Sequence, residues 1–303
     1  MQDVLDKPRR GDALSAVPAE PPVTVRRRRN NRARWELTAR ITALSMFCLL
    51  LLFPFVWLVS QSLKDTNQYF AVPFEWIPSP FRWENFTDVI FKYEFLHYIG
   101  NSLWLALYAV VVNILASSFV AYGFSRFRFP GRNALFMVVL ATMMLPGQVM
   151  TISLYRFYRE IGWIDTFYPL LIPKLFGAAF EIFLFRQFFL SLPREIDEAA
   201  RIDGCGTLRT WWHIILPQSK PVIIVVAVFT FLGSWRELFG PLIYLTGEEN
   251  RTLPLGLLYF TSPFGSSLPM LMAAIVISLI PPVVLYALGQ KYIDKGVAIA
   301  EIK

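Results

Sequence analysis

Residues 195–217 read EIDEAARIDGCGTLRTWWHIILP and lie between two long apolar segments of the chain. The stretch carries six charged side chains, three of them acidic residues at its start, where they would face the positive end of a helix dipole. Gly204 stands where a left-handed C-terminal helix cap is expected. Thr207 is then expected to cap a second short helix that Pro217 ends. The stretch therefore predicts a helix–glycine–helix unit that lies in water between two membrane crossings.

The composition of the whole chain is that of a membrane protein. Of its 303 residues, 55% are hydrophobic and 17% are charged, and the mean hydropathy is +0.46. Soluble domains contain about 45–50% apolar and about 25% charged residues. Because a membrane-spanning helix needs about 20 apolar residues, the sequence predicts an all-α integral membrane protein with six transmembrane helices. The predicted spans are residues 41–63, 102–124, 134–155, 166–188, 221–245 and 270–290.

The distribution of Lys and Arg predicts the orientation of these spans. Cytoplasmic connections carry an excess of basic residues. Residues 26–40, 125–133, 189–220 and 291–303 contain 17 basic residues, whereas the connections on the opposite side, residues 64–101, 156–165 and 246–269, contain six. We therefore expect both termini and the loop 191–217 to be cytoplasmic, and residues 41–303 to form one transmembrane domain.

The N-terminal residues 1–40 are predicted to be a disordered basic tail. Seven arginines fall within residues 26–40, and a basic patch beside a membrane favours anionic lipid headgroups. No nucleic acid partner is expected, because no interleaving of aromatic and basic residues follows.

Enzymatic function is not expected from the motifs. The sequence contains no HExxH, no GxSxG and no GxxxxGK[ST] pattern. Its cysteines, Cys48 and Cys205, and its histidines, His97 and His213, are isolated and lack zinc-ligand spacing. We therefore predict no catalytic residues, no metal site and no cofactor on this chain.

The quoted stretch fits the pattern E-A-A-x3-G-x9-I-x-L-P at all seven fixed positions. These positions are Glu198, Ala199, Ala200, Gly204, Ile214, Leu216 and Pro217. The pattern resembles the signature of permease subunits of bacterial ATP-binding cassette (ABC) importers. From about residue 41 onward the chain resembles the shorter of the two paired permeases of maltose-importer-like carbohydrate systems, for example in FRFPGR at residues 127–132.

The resemblance implies a type I importer permease fold in the bacterial inner membrane. It also implies that the cytoplasmic loop 191–217 forms a coupling helix, a role carried by the seven pattern residues and Asp203. The implied partners are a second, homologous permease, a pair of ATPase subunits that bind ATP and Mg²⁺, and an extracytoplasmic solute-binding protein. The solute implied is a sugar, oligosaccharide, polyol or glycerol-phosphate-like compound. The alternative function is a stand-alone secondary transporter or channel, which would require ion-coupling carboxylates or inverted repeats.

A second candidate site is Trp235, Arg236 and Glu237 in the fifth predicted span. Charged residues within spans usually face a bundle interior or a water-filled path, and an aromatic ring beside hydrogen-bonding groups suits a sugar. We predict that Arg236 or Glu237, with Trp235, lines the substrate path. The alternative is an interhelical salt bridge or an interfacial anchor. Related permeases usually carry Asn at the position of Arg236, so this chain departs from the resemblance there.

Other charges and helix breakers also fall in or near the predicted spans. Lys174, Glu181 and Arg186 are the remaining charged residues of this kind. Pro146-Gly147 in the third span and Pro281-Pro282 in the sixth mark the substrate route, a bending point or tolerated prolines in packed helices.

Overall fold

The computed structural model describes residues 31–261 and 267–300, with side chains at 35–261 and 267–290. The regular structure of these residues is helical throughout, and the chain divides into two units after Leu52. The α-helices are α1 (Asn31–Ser62), α2 (Thr66–Tyr69), α3 (Glu84–Thr87), α4 (Phe95–Arg126), α5 (Arg132–Thr142), α6 (Thr151–Glu160), α7 (Tyr168–Leu171), α8 (Ala179–Ser191), α9 (Glu195–Ile202), α10 (Thr207–Thr210), α11 (Leu216–Gln218), α12 (Lys220–Trp235), α13 (Phe239–Tyr244), α14 (Leu253–Tyr259) and α15 (Leu268–Ala300). Short 3₁₀ helices cover Gly147–Met150 and Ile172–Phe176, and π-helical turns cover Asp88–Lys92 and Trp211–Ile215.

The described residues contain four helical segments that are long and apolar enough to cross a membrane. These are Trp35–Ser62, Phe95–Arg126, Tyr168–Ser191 and Leu268–Gln290. Two bent pairs of helices raise the number to six if each pair is one span. The pairs are Arg132–Thr142 with Gly147–Glu160, and Thr207–Gln218 with Lys220–Trp235. The predicted all-α membrane fold is therefore confirmed.

Helix α1 begins at Asn31, within the segment that the sequence predicts to be a disordered tail. Its first residues include Arg, Ala, Glu and Leu, which are strong helix formers, so the helix of the span extends back into the basic region. The rest of the predicted tail, residues 1–30, lies outside the described residues. The apolar side chains of the first unit are exposed, as in Leu49 at 69%, which is the surface expected of a helix that faces hydrocarbon.

Helix α4 organises the second unit, because it packs along both α8 and α12. Towards its C-terminal end it contributes Tyr122 to a buried apolar cluster with Phe185 of α8 and Val226 of α12. Towards its N-terminal end it contributes Ala106 to a second cluster that includes Trp235 at the end of α12. A single long helix thus joins the two halves of the bundle.

The two predicted helix breaks have different outcomes. At Pro146 the third span does break, and its two parts are bent by 85°. Pro281 and Pro282 instead lie inside α15, which continues through them. Membrane helices tolerate proline where neighbouring groups satisfy the freed backbone. The fifth span is shorter than predicted, since α12 ends at Trp235 rather than at residue 245.

Gly177 allows the start of α8 to lie directly against α4. Its φ of +73° is one that side chains other than glycine rarely adopt, and a Cβ there would lie 2.9 Å from Ser117 Oγ and 3.2 Å from the Ser117 Cα. The positive φ and the contact with the Ser117 Cα both involve the backbone, so a change of side-chain rotamer cannot relieve them. A glycine is therefore required here for the approach of α8 to α4.

We expect Gly177→Ala to destabilise the protein by about 2 kcal/mol or more, because the left-handed conformation alone costs about 1–2 kcal/mol. The matched control is Gly123→Ala within α4, where no described atom other than the backbone of α4 itself lies within 4 Å of the added Cβ. The melting temperature of the detergent-solubilised protein checks this. Equal melting temperatures for the two variants would contradict the account of Gly177.

Asp165 joins the loop that follows α6 to the loop that follows α13. Its carboxylate accepts hydrogen bonds from the backbone N–H groups of Thr246 and Gly247, at 2.9 and 2.7 Å. The Asn250 side chain donates to its carbonyl at 2.7 Å. The N–H groups of Gly247 and Thr246 stabilise the charged form and so lower the pKa of Asp165 below its usual range.

Because this pKa is depressed on folding, the stabilisation is present above the ordinary aspartate pKa and is lost as the pH falls through the folded value. We expect Asp165→Asn to lower the melting temperature at pH 7. The difference from the parent should shrink below about pH 4. Glu160→Gln, at an exposed position on α6, serves as the control, and a difference for Asp165→Asn that does not change with pH would contradict this role.

Candidate functional site

Helix α9 and the turn after it form the first half of the predicted coupling unit. The backbone of Gly204 has a φ of +74°. The N–H of Gly204 donates to the Arg201 carbonyl at 3.0 Å, and the N–H of Cys205 donates to the Ala200 carbonyl at 2.8 Å. This pair of bonds is a Schellman motif, which ends a helix through a left-handed residue. The predicted cap at Gly204 is confirmed, and it turns the chain sharply away from the axis of α9.

An ion pair attaches α9 to the end of α4. Arg126 Nε lies 3.1 Å from Asp197 Oδ2, and the two side chains are only 6% and 17% exposed. Arg126 also donates to the Leu192 carbonyl at 3.3 Å, and the Tyr122 hydroxyl lies 3.4 Å from Asp197 Oδ1. Sequence reasoning missed this pair, because Arg126 and Asp197 are far apart in sequence and neither belongs to the signature pattern.

The second half of the unit, Thr207–Gln218, meets α12 at an angle of 82°. Ile215 is fully buried in the cluster that joins α4 and α8, and the Ser219 hydroxyl donates to its carbonyl at 2.6 Å. Two local predictions are wrong. Gly206 rather than Thr207 is the N-cap residue of α10, and no side chain forms a capping hydrogen bond at this helix start. Pro217 lies in the first turn of α11, where its missing N–H is tolerated, and the helical run continues to Gln218.

The pattern residues divide by exposure into an anchor and an outer surface. Ala200 is 2% exposed and packs inward, and Ile214 and Leu216 are half-buried. The remaining pattern residues, Glu198, Ala199, Gly204 and Pro217, are exposed, as is Asp203, the other residue predicted to take part in coupling. Next to them two large apolar side chains outside the pattern are open to solvent, Ile202 at 87% and Leu208 at 64%. The unit is therefore fixed to the bundle on one face and presents small and apolar groups on the other.

A second feature is a polar cavity of 350 Å³ beside α4, α8 and α12. A series of hydrogen bonds connects four of its lining residues, Ala178, Asn113, Thr230 and Glu181, by way of Ser117. The Ala178 N–H donates to Ser117 Oγ at 3.2 Å, and the Ser117 hydroxyl donates to Asn113 Oδ1 at 2.9 Å. The Asn113 side-chain N–H donates to Thr230 Oγ1 at 3.2 Å. The Thr230 hydroxyl lies 3.5 Å from Glu181 Oε1, at the limit of a hydrogen bond.

The predicted substrate-path residues do not lie together. Trp235 is 5% exposed, stacks on Phe231 and donates from its indole N–H to the Ser278 carbonyl at 3.2 Å. It therefore belongs to the packed core and not to the wall of the cavity. Arg236 is exposed and does not line the cavity.

Glu237 does line the cavity, and its carboxylate accepts a hydrogen bond from the Gly240 N–H at 3.0 Å. The ion pairs found within the described ranges involve neither Arg236 nor Glu237, so the alternative of a salt bridge is not observed. Glu181, which the sequence marks only as a charge near a span, is the more deeply buried acidic residue of the cavity.

Comparison with known proteins identifies the family. Residues 113–299 match the family described as binding-protein-dependent transport system inner membrane component. The chain belongs to this family. It is an ABC transporter permease, and no finding supports the alternative of a stand-alone secondary transporter or channel.

The permease is similar to relatives over nearly its whole length. It is 32% identical over 266 residues to an arabinooligosaccharides transport system permease protein of Bacillus subtilis, which covers 85% of this chain and 92% of that protein. It is 35% identical over 262 residues to an sn-glycerol-3-phosphate transport system permease protein of Yersinia enterocolitica, covering 84% and 92%.

The fold of the permease also matches that of a solved transporter. A bacterial ABC transporter involved in the import of the acidic polysaccharide alginate contains a chain with a TM-score of 0.73 and 24% identity. The match covers 88% of this chain and 98% of that chain.

We expect Asp197→Ala to loosen α9 from the permease by about 1–3 kcal/mol, because it leaves the buried Arg126 guanidinium without its partner. The backbone amide hydrogens of α9 should exchange with solvent faster, by the factor to which this loss of free energy corresponds. Glu195→Ala is the control, since Glu195 is an exposed acidic residue on the same turn. Exchange that is equally slow in both variants, or no recovery in the charge-swapped Arg126→Asp, Asp197→Arg protein, would contradict the role of the pair.

Proposed function

We propose that this permease imports a carbohydrate or a carbohydrate-like solute and is driven by ATP hydrolysis on separate ATPase subunits. The relatives named for arabinooligosaccharides and sn-glycerol-3-phosphate support this class of solute. In this proposal the chain has no ATPase site of its own, and ATP and Mg²⁺ are bound by its partners. A second, homologous permease completes the pathway, and an extracytoplasmic solute-binding protein delivers the cargo.

The observation that carries the coupling part of the proposal is the outer surface of the unit 191–217. Ile202 and Leu208 are large apolar side chains exposed beside the small Ala199. Burying large apolar side chains such as these contributes about 1.5–3 kcal/mol each, which favours a protein partner on this surface. We propose that an ATPase subunit covers this surface on the cytoplasmic side of the membrane.

The anchored face explains how a movement of that subunit would reach the spans. Asp197 is paired with Arg126 at the end of α4, and Ile215 is buried against α8 and α12. A displacement of α9 therefore acts on three spans through packed contacts. The direction of α9 relative to these contacts is set by the turn at Gly204, so the turn is the part to test.

We expect Gly204→Val to leave membrane insertion intact but to reduce uptake and transport-coupled ATP hydrolysis by tenfold or more. A β-branched residue is strongly disfavoured at a positive φ, and no described atom is close enough to the added Cβ to cause a general packing defect. Uptake into proteoliposomes and ATP hydrolysis stimulated by the binding protein measure the effect.

Gly206→Thr is the matched control, because it places a β-branched residue two positions away. Its backbone is extended, with φ of −68° and ψ of 161°, and threonine is a suitable N-cap. The control should transport like the parent. If Gly204→Val assembles and couples as well as Gly206→Thr, the proposed role of this unit is wrong.

A further inference from the structure

The cavity beside α4, α8 and α12 contains a buried acidic side chain with an unused hydrogen-bond acceptor. Glu181 is 9% exposed, and its Oε2 atom is buried with no hydrogen-bond partner in the described residues. Burying a polar atom without a partner is costly. Glu181 is nevertheless placed on the wall of a 350 Å³ cavity, within the range of about 300–1,000 Å³ that is typical of ligand sites.

The direction of the hydrogen bonds explains why Oε2 remains free. Each donor in the series from Ala178 through Ser117, Asn113 and Thr230 points towards Glu181. The Thr230 hydroxyl, the last donor of the series, points to Oε1 and has no second hydrogen to give. The hydrogen bond from Thr230 thus orients the Glu181 carboxylate, but the described residues supply no donor for its Oε2 atom.

We propose that Glu181 Oε2 accepts a hydrogen bond from a hydroxyl group of the transported solute, and that the cavity selects an uncharged polyhydroxylated solute over an anionic one. This inference rests on the proposed function, since it names the chemical class of the same solute. A carboxylate is an acceptor only, and a sugar hydroxyl is a donor that can reach it without bringing in a second charge.

The other charged groups of the cavity favour the same class. Among its lining residues, Glu181 and Glu237 are acidic and Lys174 is basic. Lys174 forms no ion pair with either in the part of the chain that the structure describes. A neutral sugar can donate to the carboxylates and accept from the ammonium group, whereas an anion must approach two carboxylates for one cation. Like charges at close range in a site of low dielectric repel strongly.

Protection of an introduced thiol tests whether the solute occupies the cavity. Ser234 lines it, and Ser234→Cys is a nearly isosteric change. The variant is made with Cys48→Ser and Cys205→Ser, in the transporter purified with the subunits that co-purify with this chain. The probes are a neutral arabino-oligosaccharide and maltotriose, compared with sn-glycerol 3-phosphate and an alginate trisaccharide.

A neutral probe should slow the alkylation of Ser234→Cys by N-ethylmaleimide by several-fold, and the anionic probes should slow it less. Alkylation of Glu160→Cys, at an exposed position on α6, should not respond to any probe. Equal or better protection by the anionic probes would overturn the inference, as would the absence of protection by every probe.

Glu181→Gln tests the acceptor itself, because its amide places an N–H group where an acceptor is needed. Uptake of the neutral solute should fall about tenfold or more, as expected for loss of a hydrogen bond to a charged group. Glu160→Gln is the control and should behave like the parent. Since substitution of a buried residue could prevent assembly, Glu237→Gln at the exposed edge of the cavity is measured as well and should lower neutral uptake to a smaller extent.

The outcomes separate this inference from the proposed function. If both glutamine variants retain full uptake while the parent performs ATP-dependent import of a carbohydrate, the inference fails and the proposed function stands. If the parent transporter shows no ATP-dependent uptake of any of the probes, the proposed function itself fails.

Discussion

The structure depends on polar contacts that hold α4 in fixed register with its neighbours inside an apolar bundle. At the C-terminal end of α4, Arg126 is paired with Asp197 at 3.1 Å. Half-way along the helix, Asn113 bonds to Thr230 of α12, and Ser117 accepts a bond from the start of α8. A buried polar group that loses its partner costs about 1–3 kcal/mol. Sliding of α4 against α8 or α12 would break several such contacts at once, so we expect these helices to move together.

This constraint links the two proposed functional regions of the permease. Helix α9 is fastened to one end of α4, and the polar cavity lies against the middle of the same helix. A movement imposed on α9 would therefore reach the wall of the cavity through α4 itself. The turn at Gly204 fixes how the outer surface of the unit is presented, while the buried Ile215 fixes where it is attached. The fold thus places the proposed contact surface and the proposed solute site on the same group of packed helices.

Local patterns in the sequence predicted the features that depend on neighbouring residues. Apolar runs predicted the membrane fold, and the spacing of Gly204 after an acidic helix start predicted its left-handed cap. Contacts between distant segments could not be predicted in this way. The pairing of Arg126 with Asp197 leaves no local signal, and Glu181 was marked only as a charge because its neighbour Thr230 is on another helix. The placement of Trp235 in the core had a usable signal, since it follows the buried Phe231 by one helical turn.

The most direct test of the account is a photo-crosslinking measurement at Ile202, which is 87% exposed on the outer surface of the unit. A photoreactive amino acid is placed there and, as a control, at Trp104, an exposed position on α4. We expect the transporter assembled in membranes to give a covalent adduct between position 202 and the ATPase subunit, and no such adduct from position 104. An adduct of position 202 with lipid alone, in membranes where the complex hydrolyses ATP and transports its solute, would contradict the account.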